Sequence, residues 1–491
     1  MPVHLRSDDN CLGEILGSFD PLTQILAVNL ADAFGASNAK SMSGLLRAMS
    51  PAILVHEMAH FWQISTTASG LRAFAFHHES LANGLRLIEE VSQANRGRVR
   101  VPIVAHPPAS SASSARAFYD FLMKLFARRL QVEGGWKVPF NSLTDGRPIC
   151  GGALIELDRF SFCGRKYHAP ILLYPAQDGP TVFGTLHIFE CWAKAAELIA
   201  ANIHNTGSLR AGKPGTTVEC PPGHDLYFAL NALFCSKTTQ HPKTAQWGLE
   251  QLILVCDLCC MLDVIVLGEE LGIVDLTPAQ WFSKVLDVIV TGEFEEIILD
   301  ENLNVGTVVR FQESLLIALG IPATMAELVA LCEKFVDKLE ALFARFVFNP
   351  KLVNELLSVI RHQLEWRRTS LLGGAVLQDL FTSQDKLATV AAGSLPAVSF
   401  GSKILSHRAP SGRAFGAELP EHQHIAGIAN AIILGQRNCF LNQNPRTCAV
   451  DPARFCKDVS LYNGQETLPD CQRTTLLGAV AELLGIKEII W

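Results

Sequence analysis

Apolar residues recur at the 3.6-residue spacing of a helix through most of this chain, and that period constrains the fold more than any other feature. Ser50 and Pro51 make an N-cap and first-turn pair that opens an apolar run to about Thr67, where Gly70 is expected to stop it. A second helix is predicted from Leu71 to about Val91, because Phe74, His78, Leu81, Leu85 and Ile88 fall on one stripe. Further helices are expected from the 107–114 linker to about Arg129, from about Val182 to His204 and from Ala245 to Gly268. Others are expected near 279–290, 324–347, 350–368, 373–392, 421–435 and 473–486. Alternating and β-rich segments between Trp136 and Tyr174, notably 153–162 and 169–174, are the one expected sheet. The predicted fold class is mainly α, a large helical assembly with a small β-rich insertion around 136–175.

With 491 residues the chain exceeds one ordinary core, so two units are expected. The first spans 1–235 with the β-rich insertion, the second 236–491, and the boundary falls between 205 and 320. An apolar share of 49% with 18% charged residues excludes a disordered chain. The 41 basic and 48 acidic residues give a net charge of −7, with no basic run longer than a pair, which argues against a nucleic-acid partner. The most apolar run, Leu252 to Leu267, contains Asp257 and Asp263 and is shorter than the roughly 20 residues a bilayer requires. It reads as a buried central helix, so no membrane partner is expected. The opening MPVHLRSDDNCLGEIL has no basic-then-apolar signal pattern, and the expectation is a cytoplasmic chain whose 14 cysteines are reduced.

The first predicted helix contains His56-Glu57-Met58-Ala59-His60. Two histidines four residues apart share one helix face and can reach one metal ion, with the intervening Glu beside the water it would activate. This segment resembles the active-site helix of zincin metallopeptidases, a resemblance covering about thirty residues. It implies zinc on His56 and His60, Glu57 as general base, and a peptide or protein substrate. A third ligand is still required, and two carboxylates compete for the place. Glu79 lies on the next helix at a spacing that looks like that of the gluzincin branch. Glu190 opens Glu190-Cys191-Trp192-Ala193-Lys194-Ala195-Ala196-Glu197, which resembles a Glu-x-aromatic-Ala-x-x-x-Glu run of one gluzincin aminopeptidase group. On that helix Glu190, Ala193, Glu197 and His204 share a face beside the core stripe of Phe189, Trp192, Ala196, Ile199 and Ile203.

Other readings compete. Glu57-x-x-His60 also suits a di-iron carboxylate oxygenase in a helical bundle, which would bind iron. His187 and Glu190 have the reverse order, and Glu421-x-x-His424 follows Pro420 in a loop-rich region. A non-catalytic helical scaffold is the third alternative. Gln63 is in reach of a hydrogen bond to a ligand, although its position reads as an ordinary exposed glutamine. Asp257 and Asp263 need partners if buried, with arginine pairing the expected answer over a catalytic role. Cys256, Cys259 and Cys260 read as buried thiols, and the spacing of Cys439, Cys448, Cys456 and Cys471 fits no common zinc pattern. No phosphate-binding glycine loop and no Gly-x-Ser-x-Gly elbow is present.

Overall fold

The computed structural model describes residues 17–20, 25–28, 51–101, 103, 148–150, 153–162, 165–176, 179–183, 185–206, 225–239, 244–245, 247–268, 271, 276–292, 294, 305–344, 350–370, 397–400, 403–406, 425–426, 428–429, 432–433, 478 and 480–490. It is mainly α. The helices are α1 (Pro51–Thr66), α2 (Ala68–Ala94), α3 (Thr185–Thr206), α4 (Asp225–Thr238) and α5 (Leu249–Met261). They continue with α6 (Val264–Leu267), α7 (Pro278–Thr291), α8 (Val305–Ala318), α9 (Met325–Phe343) and α10 (Pro350–Ser370). No described helix is long and apolar enough to cross a membrane.

The expected β-rich insertion is a four-stranded antiparallel meander of β4 (Pro148–Cys150), β5 (Ala153–Phe162), β6 (Arg165–Ala176) and β7 (Gly179–Phe183). It is not the only sheet. A second joins distant parts of the chain in the order β1 (Gly17–Asp20), β2 (Ile25–Val28), β8 (Ala397–Phe400) and β9 (Lys403–Ser406). A third pairs β3 (Arg98–Arg100) in parallel with β10 (Glu488–Ile490). The strands of these two sheets are three or four residues long, too short to leave a period, and β2–β8 and β3–β10 pair over hundreds of residues, so only the meander is visible in sequence.

The break between α1 and α2 falls at Thr67, not Gly70. Thr67 is extended (φ −110°, ψ 151°), accepts the Gly70 amide on its side-chain oxygen and donates its hydroxyl to the Gln63 carbonyl at 2.6 Å. Gly70 lies inside the first turn of α2, where a Cβ would sit 1.8 Å from the Gln63 carbonyl oxygen. Glycine is needed there for close approach of two backbones rather than for helix termination. The expected helix from Ala245 to Gly268 is also divided. Leu262 leaves helical geometry (φ −94°, ψ 83°), and Asp263 instead pairs with Arg72 of α2. Helices α4 and α8 were not expected from the pattern; α8 begins Val-Gly-Thr-Val-Val, a poor helical opening by propensity. The helices expected at 107–129 and 373–392 lie outside the described residues.

The main core runs from Val55 to Leu364 and draws on α1, the start of α2 and α3 to α10, with residues from both sides of position 235. A smaller core holds apolar residues from Leu81 to Val91 of α2 against Val99, against Ile425, Ala426, Ile428, Ala429, Ile432 and Ile433, and against Val480, Ala481, Leu484, Ile486 and Ile489. Helix α2, at 27 residues, is long enough to join both. Helix α1 packs along α3 and also touches α2 and α10. That α1–α3 contact positions the site.

Candidate metal centre

In α1 the i, i+4 spacing stacks His56 and His60 on one face, their ring centroids 5.0 Å apart and their planes at 79°. The two Nε2 atoms are 3.3 Å apart. From α3, Glu190 presents one carboxylate oxygen to each ring, with Oε2 at 3.4 Å from His56 Nε2 and Oε1 at 3.4 Å from His60 Nε2. Glu190 is fully buried, and neither of its oxygens is held by a hydrogen bond. Among the described residues, His56, His60 and Glu190 are the His/Cys/Asp/Glu group whose ligand atoms all lie within 4.8 Å of one another. Of the two carboxylates left open by sequence, Glu190 joins the histidines and Glu79 does not. His187 is buried outside the group, and Glu421 and His424 lie outside the described residues.

The far nitrogen of each ring is also tied. His60 Nδ1 lies 2.9 Å from Gln63 Oε1, while Gln63 Nε2 donates to the Phe189 carbonyl at 2.8 Å. The second bond fixes which end of the amide is oxygen, so His60 Nδ1 must be the donor. His56 Nδ1 lies 3.0 Å from Glu197 Oε2, and an ionised carboxylate only accepts, so this nitrogen donates as well. Neutral rings therefore point two bare Nε2 lone pairs and a carboxylate at one another in a buried space. That convergence is repulsive unless protons or a cation fill it.

Metal-free, protons do so. Burial works to lower His56, but its contacts with Glu190 and Glu197 prevail and raise it from 6.5 to about 10. Burial likewise opposes the charge on His60, and the attraction of Glu190 raises it. Burial alone pushes the Glu190 carboxyl up, yet His60 and His56 hold it at about 2. Burial raises Glu57 above the usual carboxylate range, with the two histidines pulling the other way.

The donor set fits zinc. Ligand bonds of about 2.0–2.1 Å at tetrahedral angles place ligand atoms about 3.3 Å apart, close to the separations between these donors. Imidazole nitrogens that donate their other N–H to a carboxylate or amide are also the arrangement zinc ligands use. The rim is partly open: His56 is 13% exposed, Glu197 22% and Lys194, which donates to Glu197 Oε1 at 2.6 Å, 23%. Glu190 is fully enclosed, and the His60 side chain is 10% exposed.

Two residues, Gln63 and Glu197, orient the histidines from behind. Gln63 is fully buried, contrary to the reading of an exposed side chain, because α3 covers that face of α1. Glu197 was placed on the Glu190 face by its spacing of seven, two helical turns, and its contact with His56 could not be read from that. Elsewhere, the buried aspartates have the arginine partners expected. Asp257 meets Arg367 at 2.9 and 2.6 Å and accepts from Gln312 at 3.0 Å, and Asp263 meets Arg72 at 3.0 Å. Cys256, Cys259 and Cys260 are buried and free, their thiols pushed up by burial. The four C-terminal cysteines named above lie outside the described residues. Comparison with family models, curated proteins and solved structures found no match to this chain.

Proposed function

We propose that the chain is a metalloprotein with a mononuclear zinc centre. Within that class, we read it as a hydrolase, a metallopeptidase that cleaves peptide or protein substrates with activated water. The observation that carries this reading is the convergence of His56 Nε2, His60 Nε2 and the Glu190 carboxylate in a buried space, with both Nδ1 atoms tied down behind them. His56, His60 and Glu190 would hold the ion, which when bound polarises a carbonyl and makes nearby water acidic. Three protein ligands leave a position for substrate or water, as catalytic zinc sites require.

Glu57 is the group we assign to move the proton. It follows His56 on α1 and is nearly enclosed, and burial raises its carboxyl above the usual range while the two histidines pull it the other way, a direction that favours taking up a proton. Glu197 and Gln63 orient the histidines, and Glu190 supplies the negative charge that offsets the cation. The di-iron alternative needs a second set of ligands, and the described residues gather one three-ligand group. The test is Glu57→Gln assayed on a quenched-fluorescence peptide library with zinc content measured on the same samples. The variant is expected to keep its zinc and lose activity by roughly 10²–10⁴-fold. Hydrolysis at the parental rate overturns the mechanism.

A further inference from the structure

We infer that Gln63 is a two-handed positioning residue, one that fixes the His60 ring and at the same time sets the distance between the His60 and Glu190 ligands. This rests on the metal reading above. Its Oε1 accepts from His60 Nδ1 at 2.9 Å and its Nε2 donates to the carbonyl of Phe189 at 2.8 Å, the residue immediately before Glu190. One planar amide thus bridges a ligand on α1 to the backbone that carries the ligand on α3. An amide is the group suited to this task because it donates at one end and accepts at the other. A carboxylate would repel the Phe189 carbonyl, and an apolar side chain would satisfy neither partner.

The rest of the local structure immobilises Gln63 itself. Its carbonyl accepts the Thr67 hydroxyl at 2.6 Å, and the bare Cα of Gly70 packs so closely on the same carbonyl that no larger residue fits. The side chain is fully enclosed. The Thr67 cap and Gly70, features of a helix junction, therefore hold the backbone from which the ring of His60 is steered. The two histidines are oriented by different chemistry, His56 by a partly exposed carboxylate and His60 by a buried neutral amide.

The experiment measures zinc affinity by competition with a chromophoric chelator, and the visible spectrum of the cobalt(II)-substituted chain, for the parent, Gln63→Met and Gln63→Glu. Gln63→Met, similar in length and unable to serve either partner, is expected to weaken zinc binding about 10–100-fold and to alter the cobalt bands. Gln63→Glu keeps the acceptor for His60 and loses the donor to Phe189, so its affinity should lie between the other two. Circular dichroism reports folding, and if Gln63→Met does not fold, the one-atom change in Gln63→Glu decides the matter. Affinities and spectra unchanged in a zinc-binding chain overturn the role of Gln63 alone. A parent chain that binds no zinc overturns the metal reading and this inference with it.

Discussion

Zinc and protons should compete for the same lone pairs, and the competition can be given a size. His56 carries a pKa of about 10 in the metal-free chain, held there by Glu190 and Glu197 against the effect of burial. At pH 7 its ring is about three pH units below that value, so displacing the proton weakens apparent zinc affinity about a thousandfold relative to the deprotonated site. Affinity should then climb about tenfold per pH unit for each proton displaced as the pH rises from 7 toward 9. Isothermal titration calorimetry in two buffers of different ionisation enthalpy measures both the affinity and the number of protons released. At least one proton per zinc is expected. Equal affinities at pH 6.5 and 8.5, with no proton released, refute the argument that these imidazoles are the ligands. The same shifts contribute a pH dependence to the stability of the metal-free chain. His56, raised above 6.5, stabilises it fully below that pH and ceases to as pH rises toward 10; Glu190, depressed to about 2, contributes above 4.5 and is lost as pH falls toward 2.

Two further predictions concern the scaffold. Gly70→Ala places a Cβ 1.8 Å from the Gln63 carbonyl oxygen, a backbone atom that cannot rotate away, so urea denaturation should show a loss of about 1–3 kcal/mol or more despite alanine's better helix propensity. A midpoint equal to or above the parent's contradicts the close approach of α1 and α2. Asp257→Ala strands the Arg367 guanidinium, which is 2% exposed, and should cost about 3–5 kcal/mol by the same measurement. A loss below about 1 kcal/mol contradicts the assignment of that pair as the buried tie between α5 and α10.

What could be read from the sequence was local. The paired histidines and Glu57 follow from i, i+4 geometry within one helix, and the face shared by Glu190 and Glu197 follows from a spacing of seven. The choice between Glu79 and Glu190 did not, because it depends on which helix packs against α1. Sequence separation carries little information about that, and a meander of four strands lies between α1 and α3. The reach of Gln63 to a ligand is legible in the spacing, but its burial is not, for the same reason: its environment is made by the Phe189 carbonyl, 126 residues away. The split at Leu262 was hidden because Leu252 to Leu267 is apolar on nearly all sides, and what ends the first helix there accompanies a pairing of Asp263 with Arg72, 191 residues distant.

Metal content is the most direct test of the central claim. Chain purified without chelator and examined by elemental analysis is expected to carry about one zinc. That zinc should be lost in His56→Ala, His60→Ala and Glu190→Ala, and kept in Glu79→Ala. A metal-free parent, two irons per chain, or zinc retained by Glu190→Ala and lost by Glu79→Ala contradicts the account.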